Sequence, residues 1–149
     1  MTTKIGYKEE SRFNYTGNGW EGKQYDSSLK IKEIAKHIKK HLKKKFPDAK
    51  WSVTSKNRVL SINLMKWNKE VFNPKAELTD WDKEHKQLGC NLSEYNKSEL
   101  TEEAYQLFEY VQTLGNSFNY NDSDAQIDYF NSNFYLRMNI GRYNKNFER

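Results

Sequence analysis

At 149 residues the chain has the length of one domain and enough material to close a hydrophobic core. Apolar residues make up 36% and mean hydropathy is −1.08, yet 15% of residues are aromatic, which excludes a disordered polar chain and predicts a core rich in Trp, Tyr and Phe. A net charge of +5, a single cysteine (Cys90) and no run near ~18 apolar residues exclude an intramolecular disulfide and a membrane-spanning helix, and the expectation is a cytoplasmic protein with no membrane contact.

Residues 1–24 are rich in Gly, Asn, Tyr and charge and show no sustained period. They are expected to form an irregular N-terminal arm, with Tyr7, Phe13, Tyr15, Trp20 and the adjoining Tyr25 lying partly over the core, and residues 25–149 a single α+β domain. Met1-Thr2-Thr3-Lys4 lacks the apolar centre of a signal peptide. Asp26-Ser27-Ser28 offers helix-capping chemistry, and a helix is predicted from there to Phe46. Ile31, Ile34, Ala35, Ile38 and Leu42 form its apolar stripe, and Pro47 stops it. Trp51–Ser55 and Val59–Trp67 alternate with period two around a turn at Lys56-Asn57-Arg58. Leu60, Ile62 and Leu64 are predicted to face inward, Ser61 and Asn63 outward.

Asn73-Pro74 reads as a helix start, with Leu78, Trp81, His85 and Leu88 at helical spacing and Gly89 as its end. Thr101-Glu-Glu-Ala104 begins a further helix with the stripe Ala104, Leu107, Phe108, Val111 and Leu114, and Gly115 is placed just past its end. A polar tract follows, with a short helix starting at Asp122-Ser123-Asp124. Phe134, Leu136, Met138 and Ile140 then alternate with Tyr135, Arg137 and Asn139 as a last strand. The predicted fold is α+β, in the order α-β-β-(α)-α-β. It has a small antiparallel sheet, the hairpin plus the C-terminal strand, packed against two or three helices.

The charge is divided along the chain. Residues 27–69 hold 13 Lys/Arg against 2 acids, and residues 70–134 hold 4 against 13. Lys32, Lys36, Lys39, Lys40 and Lys43 project opposite the first apolar stripe, flanked by Lys44, and Lys56 and Arg58 at the hairpin turn extend the basic set. Ammonium groups on one rigid face suit phosphates, while a solvated face that keeps the protein soluble explains them equally simply. Lysine rather than arginine argues against base-specific readout. His37 and His41, four apart, have metal-ligand spacing, but they stand among lysines and outside an HExxH motif, so no metal and no cofactor is expected. Asp122, Asp124 and Asp128 are a candidate acidic site: three carboxylates within seven residues suit a divalent cation, and equally suit caps and turns. Tyr129, Phe134 and Tyr135 are assigned to core and sheet surface rather than to base stacking. The chain has no phosphate-binding glycine loop, nucleophile elbow or Cys-x-x-Cys pair, so no catalytic residue is named.

The run Phe118-Asn-Tyr-Asn-Asp-Ser-Asp-Ala-Gln-Ile-Asp-Tyr-Phe-Asn-Ser-Asn-Phe-Tyr-Leu-Arg-Met-Asn-Ile-Gly141 resembles a signature of the large polyvalent protein-associated domains of phages, plasmids and conjugative elements. Ile31–Trp67 and the Gln87-Leu88 segment leading to Thr101 agree with it. The sequence departs from the pattern at Asn131, where an acid is usual, and at Gly141-Arg142-Tyr143, where Gly-Lys-Trp is common. The resemblance implies a mobile-element protein that travels with invading DNA and counters host defence. The expected function is non-enzymatic inhibition of a host nucleoprotein, above all a CRISPR effector nuclease or its guide RNA. The alternatives are an accessory factor binding bare DNA or RNA, and a metal-dependent nuclease using the three aspartates.

Overall fold

Ile34, Ala35, Ile38 and Leu42 are all buried, so the predicted stripe is the seam along which the first helix, α1 (Ile31–Lys45), meets the rest of the chain. The computed structural model describes residues 7–8, 11–74, 88–127, 129–142 and 145–148. The helix begins later than the capping chemistry suggested. Asp26 uses its carboxylate on the Ser28 N–H (2.9 Å) and hydroxyl (2.7 Å), closing a turn ahead of the helix, and Lys30 occupies the N-cap. At the other end the Phe46 N–H returns to the Leu42 carbonyl at 2.8 Å. Pro47 then forces the chain out of helical backbone.

Strands β2 (Lys50–Lys56) and β3 (Val59–Lys66) form the expected hairpin. Asn57 and Arg58 both have positive φ, 49° and 63°, the geometry of a two-residue hairpin turn whose twist matches the strands it joins. Leu60, Ile62 and Leu64 are fully buried on the inner face of the sheet. Asn63 points to the other face as predicted, but it is 3% exposed rather than solvated. Its amide donates to the Ser52 carbonyl (3.0 Å) and accepts from Asn139 (2.9 Å), while Arg142 reaches the Ser52 hydroxyl (3.0 Å), so a partnered polar row crosses that face.

The last long strand, β6 (Tyr135–Ile140), alternates as predicted and pairs with β3 from Val59↔Tyr135 to Leu64↔Ile140. The pairing is parallel, which corrects the expectation of a wholly antiparallel sheet. The connection between β3 and β6 is long and carries a helix, the kind of crossover that a parallel pair requires. A two-residue strand, β4 (Leu88–Gly89), pairs antiparallel with the end of β6 and completes the order β2-β3-β6-β4. Gly89 therefore belongs to a strand and does not end a helix. The helix predicted over Leu78, Trp81 and His85 falls outside the described residues.

Ser93 caps a short helix, α2 (Glu94–Glu99), and Thr101 caps the long α3 (Glu102–Ser117), accepting the Ala104 N–H at 3.2 Å. Ala104, Leu107, Phe108, Val111 and Leu114 are buried with the α1 stripe and the inner face of the sheet in one core. Burying a side chain of this size contributes about 1.5–3 kcal/mol each, which fixes both helices to the sheet. Gly115 lies inside α3 instead of beyond it. A methyl group there would sit 2.9 Å from the Leu136 side chain, so the glycine permits the helix to close on β6. Mixed α+β architecture, in roughly the expected order with short strands added at Trp20–Glu21, Leu88–Gly89 and Tyr120–Asn121, is thus what the chain adopts.

The N-terminal segment joins the structure through β1 (Trp20–Glu21), antiparallel to β5 (Tyr120–Asn121). Backbone donors of Gly22 and Gln24 reach the Asn119 (2.8 Å) and Ser117 (2.7 Å) carbonyls, satisfying groups that the end of α3 leaves open. Phe13 stacks on Tyr120 at 3.7 Å, and Tyr25 meets both rings edge-on. Glu21, itself buried, pairs with Lys8 and with Arg12 at 3.4 Å.

Candidate functional site

Lys36, Lys39, Lys40 and Lys43 fall at i, i+3, i+4 and i+7 of α1 and make one ridge. Lys32 lies one turn before it and Lys44 beside it. All six are exposed, and none of them forms an ion pair among the described residues. Fifteen residues carry the ridge along roughly 22 Å of rigid helix. Four lysine pairs stand four residues apart (32/36, 36/40, 39/43 and 40/44), and like charges at that spacing cost a helix about 1–2 kcal/mol in all. The favourable placement of Lys43, Lys44 and Lys45 on the negative end of the helix dipole offsets part of this, as does the buried stripe. An anionic surface laid along the ridge would remove the repulsion.

The hairpin-turn cations do not continue that ridge. A tight Pro47-Asp48 connection runs β2 back along α1, so Lys56 and Arg58 lie beyond the opposite end from Lys43 and Lys44. The Arg58 guanidinium donates to the Ser132 carbonyl, which turns it toward the start of β6. His37 stacks against Phe118 at 6.2 Å, and His41 Nε2 lies 2.6 Å from the Tyr110 hydroxyl, so both flank the α1–α3 seam.

The acidic tract is built into turns. Asp122, only 2% exposed, accepts the Tyr15 N–H (2.6 Å), the Thr16 N–H (3.0 Å) and the Thr16 hydroxyl (2.7 Å). Burial pushes its carboxyl up, and the three donors outweigh that and hold it below the usual carboxylate range. Asp124 accepts the Gln126 N–H (3.0 Å) at the start of a single 3₁₀ turn, Ala125–Ile127, and its backbone closes on Tyr129. Asp128 falls outside the described residues. Among the described residues no group of three or more His, Cys, Asp or Glu is disposed to hold a metal ion. Cys90 is buried beside β4, where burial and the negative charge of Glu99 push its thiol far up.

One feature escaped the sequence. A cleft of about 520 Å³ opens between β1, α3 and the edge of β6, with Trp20, Gln112, Asn116, Tyr135 and Arg137 among its walls. Those positions are separated by up to 117 residues, and no local spacing signals that they meet.

No described helix is long and apolar enough to cross a membrane. No curated protein and no solved structure matches the chain. A family model described as large polyvalent protein associated domain 29 matches residues 29–116, from the approach to α1 to the penultimate residue of α3. The Phe118–Gly141 tract, on which the resemblance chiefly stands, lies beyond that span. The basic helix, the hairpin and α3 are therefore the shared part of the molecule, and with more than half its length matched the chain belongs to this family of mobile-element-associated domains.

Proposed function

We propose that this mobile-element protein counters host defence by binding and inhibiting a host nucleoprotein, with a CRISPR effector nuclease or its guide RNA as the principal target. The lysine ridge of α1 carries the proposal. It is exposed, rigidly mounted and electrostatically strained in isolation, and it lies within the span that defines the family. Such a ridge competes for a surface that ordinarily meets phosphates, or grips guide RNA where it emerges from its effector. The action is stoichiometric binding in the cytoplasm of a bacterial host, with no chemistry and no cofactor. Asp122 and Asp124, the carboxylates a nuclease would need, are already engaged by backbone donors.

The test is co-purification with a CRISPR effector, with and without guide RNA, before and after nuclease treatment. Association should be salt-sensitive and should be lost when Lys36, Lys39, Lys40 and Lys43 are changed to Glu. No association at low salt overturns the proposal. The same lysines support a second reading, an accessory factor on bare DNA or RNA. Binding to naked nucleic acid that the effector does not strengthen would favour that reading.

A further inference from the structure

We propose that the outer face of the sheet around Tyr135, together with the cleft at the β6 edge, binds consecutive unpaired nucleotides of a single-stranded nucleic acid. The site faces away from α1, and the proposal does not rest on the lysine ridge.

Register defines the outer face. Lys56, Val59 and Tyr135 form one cross-strand row, and Thr54, Ser61 and Arg137 form the next. Tyr135 is 51% exposed and Arg137 is exposed, so an aromatic ring and a guanidinium stand two residues apart on the third strand of the sheet. A base can lie on the ring while the cations hold its phosphates.

Hydrogen bonding defines the edge. The Tyr135 N–H donates to the Arg58 carbonyl (2.8 Å) and the Gly141 N–H to the Leu64 carbonyl (2.9 Å), so odd-numbered residues of β6 bond toward β3. Leu136, Met138 and Ile140 must turn theirs the other way. Ile140 faces Leu88 in the ladder, and the Met138 carbonyl takes the Cys90 N–H at 2.8 Å. The β4 strand goes no further, which leaves the N–H and C=O of Leu136 aimed into the cleft with no partner among the described residues. A peptide group left this way is free to pair with a ligand in the cleft. Its donor and acceptor lie side by side, as the edge of a nucleobase requires, and Gln112 on the facing helix supplies a second amide.

The cleft volume suits one base. Among the described residues no Asp or Glu lines it, and Arg137 stands at its wall. An added peptide strand would also bond to Leu136, but it does not account for the exposed ring, the flanking cations and the missing acids together.

The measurement is fluorescence anisotropy of the whole chain with a labelled single-stranded RNA decamer, the same strand as a duplex, and a free nucleoside monophosphate. The single strand should bind at least tenfold more tightly than either alternative. Tyr135→Ala should weaken it by about 5- to 100-fold, as loss of one stacked base does, while Tyr135→Phe retains binding. Arg137→Glu should weaken it at least tenfold, with circular dichroism unchanged because both side chains are on the surface. The preference for single strand over duplex should persist in the four-lysine α1 variant. Equal affinity for duplex, mononucleotide binding as tight as the strand, indifference to both Tyr135→Ala and Arg137→Glu, or capture of extended peptides in place of the oligonucleotide would each overturn the proposal.

Discussion

Replacing Asp122 should release the Tyr15-Thr16 turn while the helices, the main sheet and the β1–β5 pairing stay folded. The carboxylate receives three hydrogen bonds from Tyr15 and Thr16, more than 100 residues away in sequence, at 2.6–3.0 Å. Bonds to a charged acceptor contribute about 1.5–3 kcal/mol each when both partners are held. Their simple total overstates the loss, since a released segment exposes its donors to water. Asp122→Ala should therefore cost about 2–4 kcal/mol in local stability. Asp122→Asn should cost nearly as much, because the isosteric amide turns an N–H toward donors and keeps one accepting oxygen. The carboxyl titrates below its ordinary value near ~3.9, so its contribution is complete above that value and is lost as pH falls through the lower folded one. Hydrogen exchange at Tyr15 and Thr16, followed from neutral pH into acid, reads this directly. Wild type should lose protection there at the acid end, and the Asn variant should lack it at neutral pH. Full protection of those amides in Asp122→Asn would refute the reasoning.

Other substitutions probe separate supports. Ile38→Ala, at a fully buried position on α1, should lower stability by about 2–5 kcal/mol in urea denaturation. Thr101→Ala removes the α3 cap and should cost about 1 kcal/mol, with Thr101→Ser restoring most of it. Gly22→Ala places a methyl group 2.3 Å from the Asn116 and Ser117 carbonyl oxygens, and should cost about 1–3 kcal/mol and loosen the end of α3. Cys90, its thiol pushed up by burial and by Glu99, should resist a thiol reagent at mildly alkaline pH until denaturant is added; rapid labelling of the native protein would contradict the buried site.

Local periodicity made much of this fold legible. The stripes of α1 and α3, the alternation of β3 and β6, and the Asn57-Arg58 turn follow from residues within one or two turns of each other. What failed were signals whose meaning depends on distant partners. Glycine at 89 and 115 reads locally as a helix stop, yet Gly89 pairs with Asn139, and Gly115 makes room for Leu136. Alternation puts Asn63 on the outer face but carries no sign of its burial, because its partners, Ser52 and Asn139, come from other strands. Asp122 looked like a possible metal ligand until its donors, contributed by the N-terminal segment, were known. The lysine ridge was visible in full, since a helix displays its sequence directly. The cleft was not, since three separate elements assemble it.

Strand alternation places the lysine ridge and Tyr135 on opposite sides of one sheet. The α1 stripe packs on the face that carries Leu60, Ile62 and Leu64, so its lysines point away from the sheet on that side, while Tyr135 and Arg137 leave from the other. Neither surface can screen or block the other sterically. Their physical signatures also differ. A row of ammonium groups meeting phosphates loses affinity steeply with salt, whereas the sheet site, where Lys56 and Arg137 hold phosphates beside a stacked base, neutralises fewer phosphates and has a smaller slope. Salt titration of any complex therefore identifies the surface in use. A steep slope that flattens in the four-lysine variant assigns the contact to α1. A slope unchanged in the four-lysine variant, with affinity lost in Tyr135→Ala and Arg137→Glu, assigns it to the sheet. A steep slope indifferent to all of these changes would remove the ridge from the account of what this protein binds.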